Sequence, residues 1–344
     1  MAVYPCAMRA LFQTVPGSLG GSRLTRQAVQ LIIGGLALIV VLAAIATLVE
    51  RGLVHPNLAD VSSYRAGAAK ALNFESPYSA MQLAGPYPLD AAAWGRGFVY
   101  PPPVAFLFAP LLIDSSASVW NLVNVTAFVL VALAIARHEW GPLGPVAGLV
   151  ALAVILRQPG LGEVYEGQMS PLIAAAVGMM WLRPKAAGSW AVAAGVFKIF
   201  PLAGLVWAAR QGGSVLKPIG LLAVVGFVSF ILMPGWWRDW VTSISNARAA
   251  CPTIALPSFS CVGFGWFGYL LAGTLCLGSL KLRRDDVAFA TLTVGMVIGA
   301  PDIYWGYLLI PFIGLLPLGS HMARDLADAF RSPKAPAHIA VHTP

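Results

Sequence analysis

Residues 188–209 read GSWAVAAGVFKIFPLAGLVWAA, two apolar runs joined through Lys198 and Pro201. The stretch is 22 residues long and carries a single charge, Lys198, with about ten apolar residues on either side. Pro201 has no backbone N–H to offer and cannot continue a helical ladder. Broken helices are tolerated inside a bilayer where they line a cavity, so the pattern predicts one helix hairpin interrupted at depth. A lysine at that depth costs about 2.5–3.5 kcal/mol on insertion scales and calls for a partner or a water-filled cavity. A phosphate is one candidate partner; the plainer alternative is a side chain that snorkels to an interface.

The rest of the chain supports a membrane reading. Of 344 residues, 58% are hydrophobic and only 10% charged, with mean hydropathy +0.76. A soluble domain carries about 45–50% apolar and about 25% charged residues, so the apolar excess here has to face lipid. That excludes a cytosolic enzyme, a secreted domain and a disordered chain. Residues 28–49 form the first apolar run, 22 residues without a charge, preceded by Arg9, Arg23 and Arg26. The run exceeds a signal peptide's usual apolar core of about 7–15 residues and reads as a retained anchor. Further candidates are 116–136, 142–156, 171–182, 188–199, 201–209, 218–233, 262–280, 287–300 and 304–318. The expected fold class is therefore an all-α polytopic membrane protein, a bundle of about ten helices at roughly 20 residues per crossing. Residues 98–113 open with Tyr100-Pro101-Pro102-Pro103 and contain Pro110, which suits a re-entrant or interfacial helix better than a crossing.

The distribution of charge tests that choice. With the N-terminus inside and 98–113 not crossing, 14 of the 22 basic and 5 of the 14 acidic residues lie on the cytoplasmic side. That side nets +9 and the remainder −1, in keeping with the positive-inside rule. Making 98–113 a crossing would send Arg183, Lys185, Arg210, Lys217 and the 281–284 cluster outside. The overall charge of +8 is thus an orientation signal, and nucleic acid is not an expected partner. Both termini are expected in the cytoplasm (tails 1–27 and 319–344) around a membrane region 28–318, in a cell or inner membrane. Three long polar stretches, 50–97, 157–170 and 235–261, then fall on the extracytoplasmic face, where loop length leaves room for a site.

Asp60 lies about ten residues beyond the first run. If the segment is helical, Asp60, Tyr64 and Ala68 share a face. An aspartate at the membrane boundary is placed to accept a proton from a hydroxyl; the bland alternative is an N-cap for a helix over 61–72. Pro77-Tyr78 and Phe98-Val99-Tyr100-Pro101-Pro102 fix extended entries into helices, with tyrosines suited to an interface. Gln168, just before a span, is placed to bond a sugar hydroxyl or is a polar loop residue. Asp302 and Tyr304 open the last span, where Asp302 either lines the same cavity as Lys198 or caps the helix. Glu163, Glu166 and Arg157 read as solvated loop charges. Of the four cysteines, Cys251 and Cys261 share one loop, where a disulfide is one of two open outcomes. C-x-x-C, H-E-x-x-H and Walker patterns are absent, as is a G-x-G-x-x-G opening a helix after a strand, and neither a metal nor a cofactor is implied.

In order, Asp60-x3-Tyr64, Pro77-Tyr78, Phe98-x-Tyr100-Pro101-Pro102, Gly167-Gln168, Lys198-x2-Pro201 and the Pro301 turn resemble glycosyltransferase family 87. These are polytopic GT-C enzymes typified by polyprenol-phosphate-mannose-dependent α-mannosyltransferases. The resemblance implies a catalytic domain over 28–318, with the site in a long first loop over 50–114. It implies transfer of a hexose, mannose above all, from a polyprenyl-phosphate donor to a lipid or glycan acceptor with inversion. Asp60 would be the catalytic base, Lys198 and Tyr100 would bind the donor phosphate, and Tyr64, Tyr78, Gln168, Asp302 and Tyr304 would bind substrate. The chain departs from the family in two places. Family members often carry a histidine in the turn where this chain has Asp302-Ile303-Tyr304-Trp305-Gly306-Tyr307. A glycine usual before the Pro-Tyr pair is missing from Asn73-Phe74-Glu75-Ser76. A transporter or lipid-linked-sugar flippase using Lys198 and Asp302 as an intramembrane pair is the rival class, and a scaffold subunit the third.

Overall fold

The computed structural model describes residues 59–88, 97–113, 116–141, 144–157, 167–248, 263–300 and 305–331, with a few isolated positions besides. The first apolar run is described only at isolated residues, and Asp302, Tyr304, Glu163, Glu166, Cys251 and Cys261 lie outside the described residues. The architecture is helical. Helices α1 (Ala59–Leu72) and α2 (Ala80–Ala84) precede a two-residue strand, β1 (Tyr87–Pro88). Then come α3 (Val104–Leu107), α4 (Ser116–Trp140), α5 (Gly144–Arg157), α6 (Ser170–Leu182), α7 (Ala187–Phe197) and α8 (Gly204–Arg210). The chain continues through α9 (Leu216–Leu232), α10 (Pro234–Asn246), β2 (Ala247–Arg248), α11 (Gly265–Gly278), α12 (Asp285–Ile298) and α13 (Leu309–Arg331). The two strands form one short parallel pairing, Tyr87 opposite Ala247.

Proline placement explains most boundaries. Pro171 and Pro234 sit in the first turns of α6 and α10, where a missing N–H costs nothing. Residues 98–113 make only the four-residue α3 and a 3₁₀ turn over Ala109–Leu112, too short to cross a bilayer. The hairpin forms as its sequence predicts. α7 stops at Phe197, Lys198 takes an extended backbone, and a 3₁₀ turn over Phe200–Ala203 leads into α8, which packs back on α7. One expectation changes in detail. Asp60 is inside the first turn of α1, behind Ala59, and not at the cap position ahead of Val61. There it still meets the positive end of the helix dipole.

The core lies between α4, α6, α7, α12 and α13. Phe128 on α4 meets Phe312 on α13, and Trp207, Trp181 and Phe289 close a cluster of rings 4.9–5.6 Å apart. Trp207 donates its indole N–H to the Met180 carbonyl at 3.1 Å, so a buried polar group is satisfied. At the other end, Arg210 grips Asp285 at 2.7 Å and reaches the carbonyls of Ser279 and Leu280, tying α8 to the α11–α12 corner.

The outer helices contrast with this core. Leu221, Phe227 and Leu232 on α9 and Trp266, Leu270 and Leu277 on α11 are all exposed. Among the described residues, one helix is long and apolar enough to cross a membrane alone, Ala117–Trp140 with hydropathy 2.1. A second candidate is the pair α9–α10, bent by 106° at Met233. Helix packing inside the bundle depends on close approach. A side chain at Gly178 would collide with Val131 and come within 3.2 Å of Ile135 and Ile313. Gly178→Leu is expected to cost about 1–3 kcal/mol from overpacking, read as a lowered thermal transition of the detergent-solubilised chain.

Candidate functional site

A cavity of about 770 Å³ opens between α1, the 97–101 segment, the broken hairpin, α10, α11 and α12. Part of its lining is polar. α1 presents Asp60, Ser63 and Tyr64 on neighbouring turns, the 97–101 segment presents Tyr100, and Gln168 stands before α6. The hairpin break presents Lys198 to the same cavity. The carboxylate and the ammonium group that the sequence singles out therefore face one space. The apolar lining comes from Ala272, Gly273 and Cys276 on α11, from Gly295, Met296 and Gly299 on α12, and from Trp240 and Ile244 on α10. A side chain added at Gly273 would meet nothing within 4 Å, so this wall borders open space.

Among the described residues, Lys198 is held by a hydroxyl and a ring face and by no salt bridge. Its Nζ donates to Ser170 Oγ at 3.4 Å and lies 4.0 Å from the centre of the Tyr307 ring. A cation over an aromatic face gains about 0.5–2 kcal/mol while keeping its charge. Among the described residues no carboxylate lies within 4 Å of it. The break is what makes this possible: with Lys198 extended, its side chain leaves the helical stack and turns into the cavity. Tyr307 rests on Phe200 from the same break, with centroids 5.2 Å apart.

The aromatic wall is cross-braced. Tyr64 and Tyr100 share a hydrogen bond between their hydroxyls at 3.1 Å, and Tyr64 stacks on Phe108 at 4.4 Å. Burial pushes the Tyr100 phenol up to about 12; the Lys198 charge lowers it and the Asp60 charge raises it, so both charges act on one ring. Tyr100 therefore stays a neutral donor over the whole working range. Gln168 accepts from Ser170 Oγ at 3.4 Å, and its backbone carbonyl accepts from Asn124 Nδ2 at 3.3 Å. Ser170 thus links Gln168 to Lys198.

Of the residues expected to bind substrate, Asp60, Tyr64, Tyr100, Gln168 and Lys198 line the cavity. Tyr78 does not. It is buried, and its hydroxyl donates to the Tyr100 carbonyl at 2.7 Å, which makes it a brace for Tyr100. Ser170, Tyr307 and Trp240 went unread in the sequence. A ring two turns beyond a proline offers no spacing signal, and a tryptophan in an amphipathic stretch reads as an interface anchor. A titration checks the aromatic wall. Tyr100→Phe should leave the tyrosinate absorbance gained between about pH 9 and 11 unchanged, because the wild-type phenol is still protonated there. A loss of one tyrosine's amplitude in that window would contradict it.

The family model for Glycosyltransferase family 87 matches residues 98–255, which include Tyr100, Gln168, Lys198 and Trp240. No curated protein and no solved structure matches the chain. Asp60 and Tyr307 lie outside the matched stretch but face the same cavity as the residues inside it. Over residues 98–255, just under half of its length, the chain is similar to glycosyltransferase family 87, and the match supports a glycosyltransferase activity.

Proposed function

We propose that the enzyme moves a hexose, mannose by resemblance, from a polyprenyl-phosphate donor to a lipid or glycan acceptor on the extracytoplasmic face of a membrane. The observation that carries this reading is the shared cavity: Asp60 and Lys198 line it together with small apolar residues of α11 and α12. A sugar on a lipid phosphate needs a cation for the phosphate, a carboxylate for the acceptor hydroxyl and an apolar path for the chain. The exposed apolar residues of α9 and α11 support a bilayer around that path.

In the proposed step Asp60 takes the proton from the acceptor hydroxyl as its oxygen attacks the anomeric carbon. The bond from that carbon to the phosphate oxygen breaks with its electron pair, the configuration inverts, and polyprenyl phosphate leaves. Lys198 offsets the negative charge that grows on the leaving phosphate, and a fixed ammonium does so without reorganising. Tyr64, Tyr100 and Gln168 hold the sugar through hydroxyl and amide groups. A membrane-embedded bundle with both termini in the cytoplasm is the setting this chemistry implies.

The variants separate the two charges. Asp60→Asn is expected to lower kcat by about 10²–10⁴ while the chain still inserts, the range for losing a general base. Lys198→Met should act on the donor, raising its KM by about tenfold or more, since a hydrogen bond to a charged group is worth about 1.5–3 kcal/mol. The assay is label transfer from polyprenyl-phosphate mannose into membrane lipids. Undiminished turnover in Asp60→Asn, or unchanged donor dependence in Lys198→Met, would overturn the corresponding role.

A further inference from the structure

Gln82 sits on α2, a five-residue helix outside the bundle, yet it is completely buried. A glutamine on a surface loop is ordinarily solvated, and burying its amide is tolerable only if its bonds are made. Here Nε2 donates to the Phe98 carbonyl at 3.0 Å and to Ser243 Oγ at 3.0 Å, and Oε1 accepts from the Ser79 N–H at 2.9 Å. One carboxamide thus joins three segments: the α2 turn, the 97–101 segment and α10. The joint is reinforced nearby. Asn246 Nδ2 donates to the Gln82 carbonyl at 2.9 Å, and Tyr87 pairs with Ala247. Gly97 sits at φ +67° against the Gln82 amide, where a side chain would collide with it.

What the amide joins are two segments that both line the cavity. Val99, Tyr100 and Pro101 form one, and Trp240, Ile244 and Ala247 form the other. Trp240 Nε1 donates to the Val99 carbonyl at 3.2 Å, a second bond between the same two segments. Asp60 stands on α1, which rests on Phe98 through Gly67, and Lys198 stands on the hairpin. We propose that Gln82 is a positioning residue for glycosyl transfer, fixing the distance between the 97–101 wall and α10 and so the width of the substrate space. This rests on the cavity being the transfer site.

The test uses the full chain in membranes, with radiolabelled polyprenyl-phosphate mannose as the probe. Gln82→Leu should raise the donor KM about tenfold and lower kcat by less than about threefold, because the bonds it removes space the 97–101 segment from α10 and involve neither charged group. Ser243→Ala should act in the same direction more weakly, and the double variant should be no worse than Gln82→Leu alone, since both remove one bond. Hydrogen exchange of the detergent-solubilised chain should quicken at residues 97–101 and 240–247 and stay unchanged at 170–182. If Gln82→Leu fails to insert, Ser243→Ala carries the same measurements. A KM within about twofold of wild type, with unaltered exchange at both walls, overturns the proposal. So does faster exchange spread evenly through α6, which marks a general stabiliser. An inactive Asp60→Asn beside an unaffected Gln82→Leu overturns the joint alone. A fully active Asp60→Asn overturns the transfer site, and the exchange measurement then still decides whether the walls are coupled.

Discussion

The arrangement turns on one lysine, Lys198, that a break in a helix turns into a cavity inside a helical bundle. Lys198 would be costly if α7 continued through it, because its side chain would then lie among packed apolar helices. The extended backbone at Lys198 and the 3₁₀ turn over Phe200–Ala203 remove that conflict by ending one helix, turning the side chain into a cavity and starting the next. Ser170 and the face of Tyr307 then hold the ammonium without cancelling its charge. A carboxylate in their place would make a closed ion pair with nothing left for an anionic ligand. The hairpin's other devices serve this one: Leu202 lies so close to Gly195 that a side chain there would displace it, and Trp207 anchors α8 under α6.

Asp60 is brought to the same space by a different kind of structure. The first described helix is not anchored by a long apolar face but by aromatic packing against the 97–113 segment. Gly67 lets Phe98 approach, Tyr64 stacks on Phe108, and Arg65 reaches the carbonyls of Leu111 and Ile113. Tyr78 and Gln82 fix that segment from behind. The polar lining of the cavity therefore comes from two parts packed on each other through Phe108, Trp120 and Phe197, a loop part carrying the carboxylate and a bundle part carrying the ammonium. They meet at Tyr100, whose ring feels both charges. Such a division suits a transferase, because the donor and the acceptor each need their own recognition surface.

Much of this was readable in the residues. Proline and an isolated charge in an otherwise apolar stretch announced the broken hairpin, and residues 98–113 were too proline-rich to make one long helix. Periodicity put Asp60 and Tyr64 on one face, and they do face one cavity. What the chain withheld was long-range pairing. Nothing near Gln82 hints at Ser243, 161 positions away. Tyr78 reads the same whether it touches a sugar or a carbonyl, since a tyrosine's spacing says nothing about where its hydroxyl ends. The 106° bend between α9 and α10 follows from Pro234 only in retrospect, because a proline in the first turn of a helix is as compatible with a straight entry as with a sharp one. Tyr307 is a further case: it meets Lys198 through a ring face, a contact with no pattern in sequence.

The most direct measurement is a cryo-electron microscopy structure of the full chain bound to polyprenyl phosphate. The phosphate should lie within hydrogen-bond distance of Lys198 Nζ, with the prenyl chain running along Ala272, Gly273 and Gly299 and the space beside Asp60 open for an acceptor. A phosphate lodged away from Lys198, or a prenyl chain outside the α11–α12 wall, would contradict a transfer site shared by these two charges.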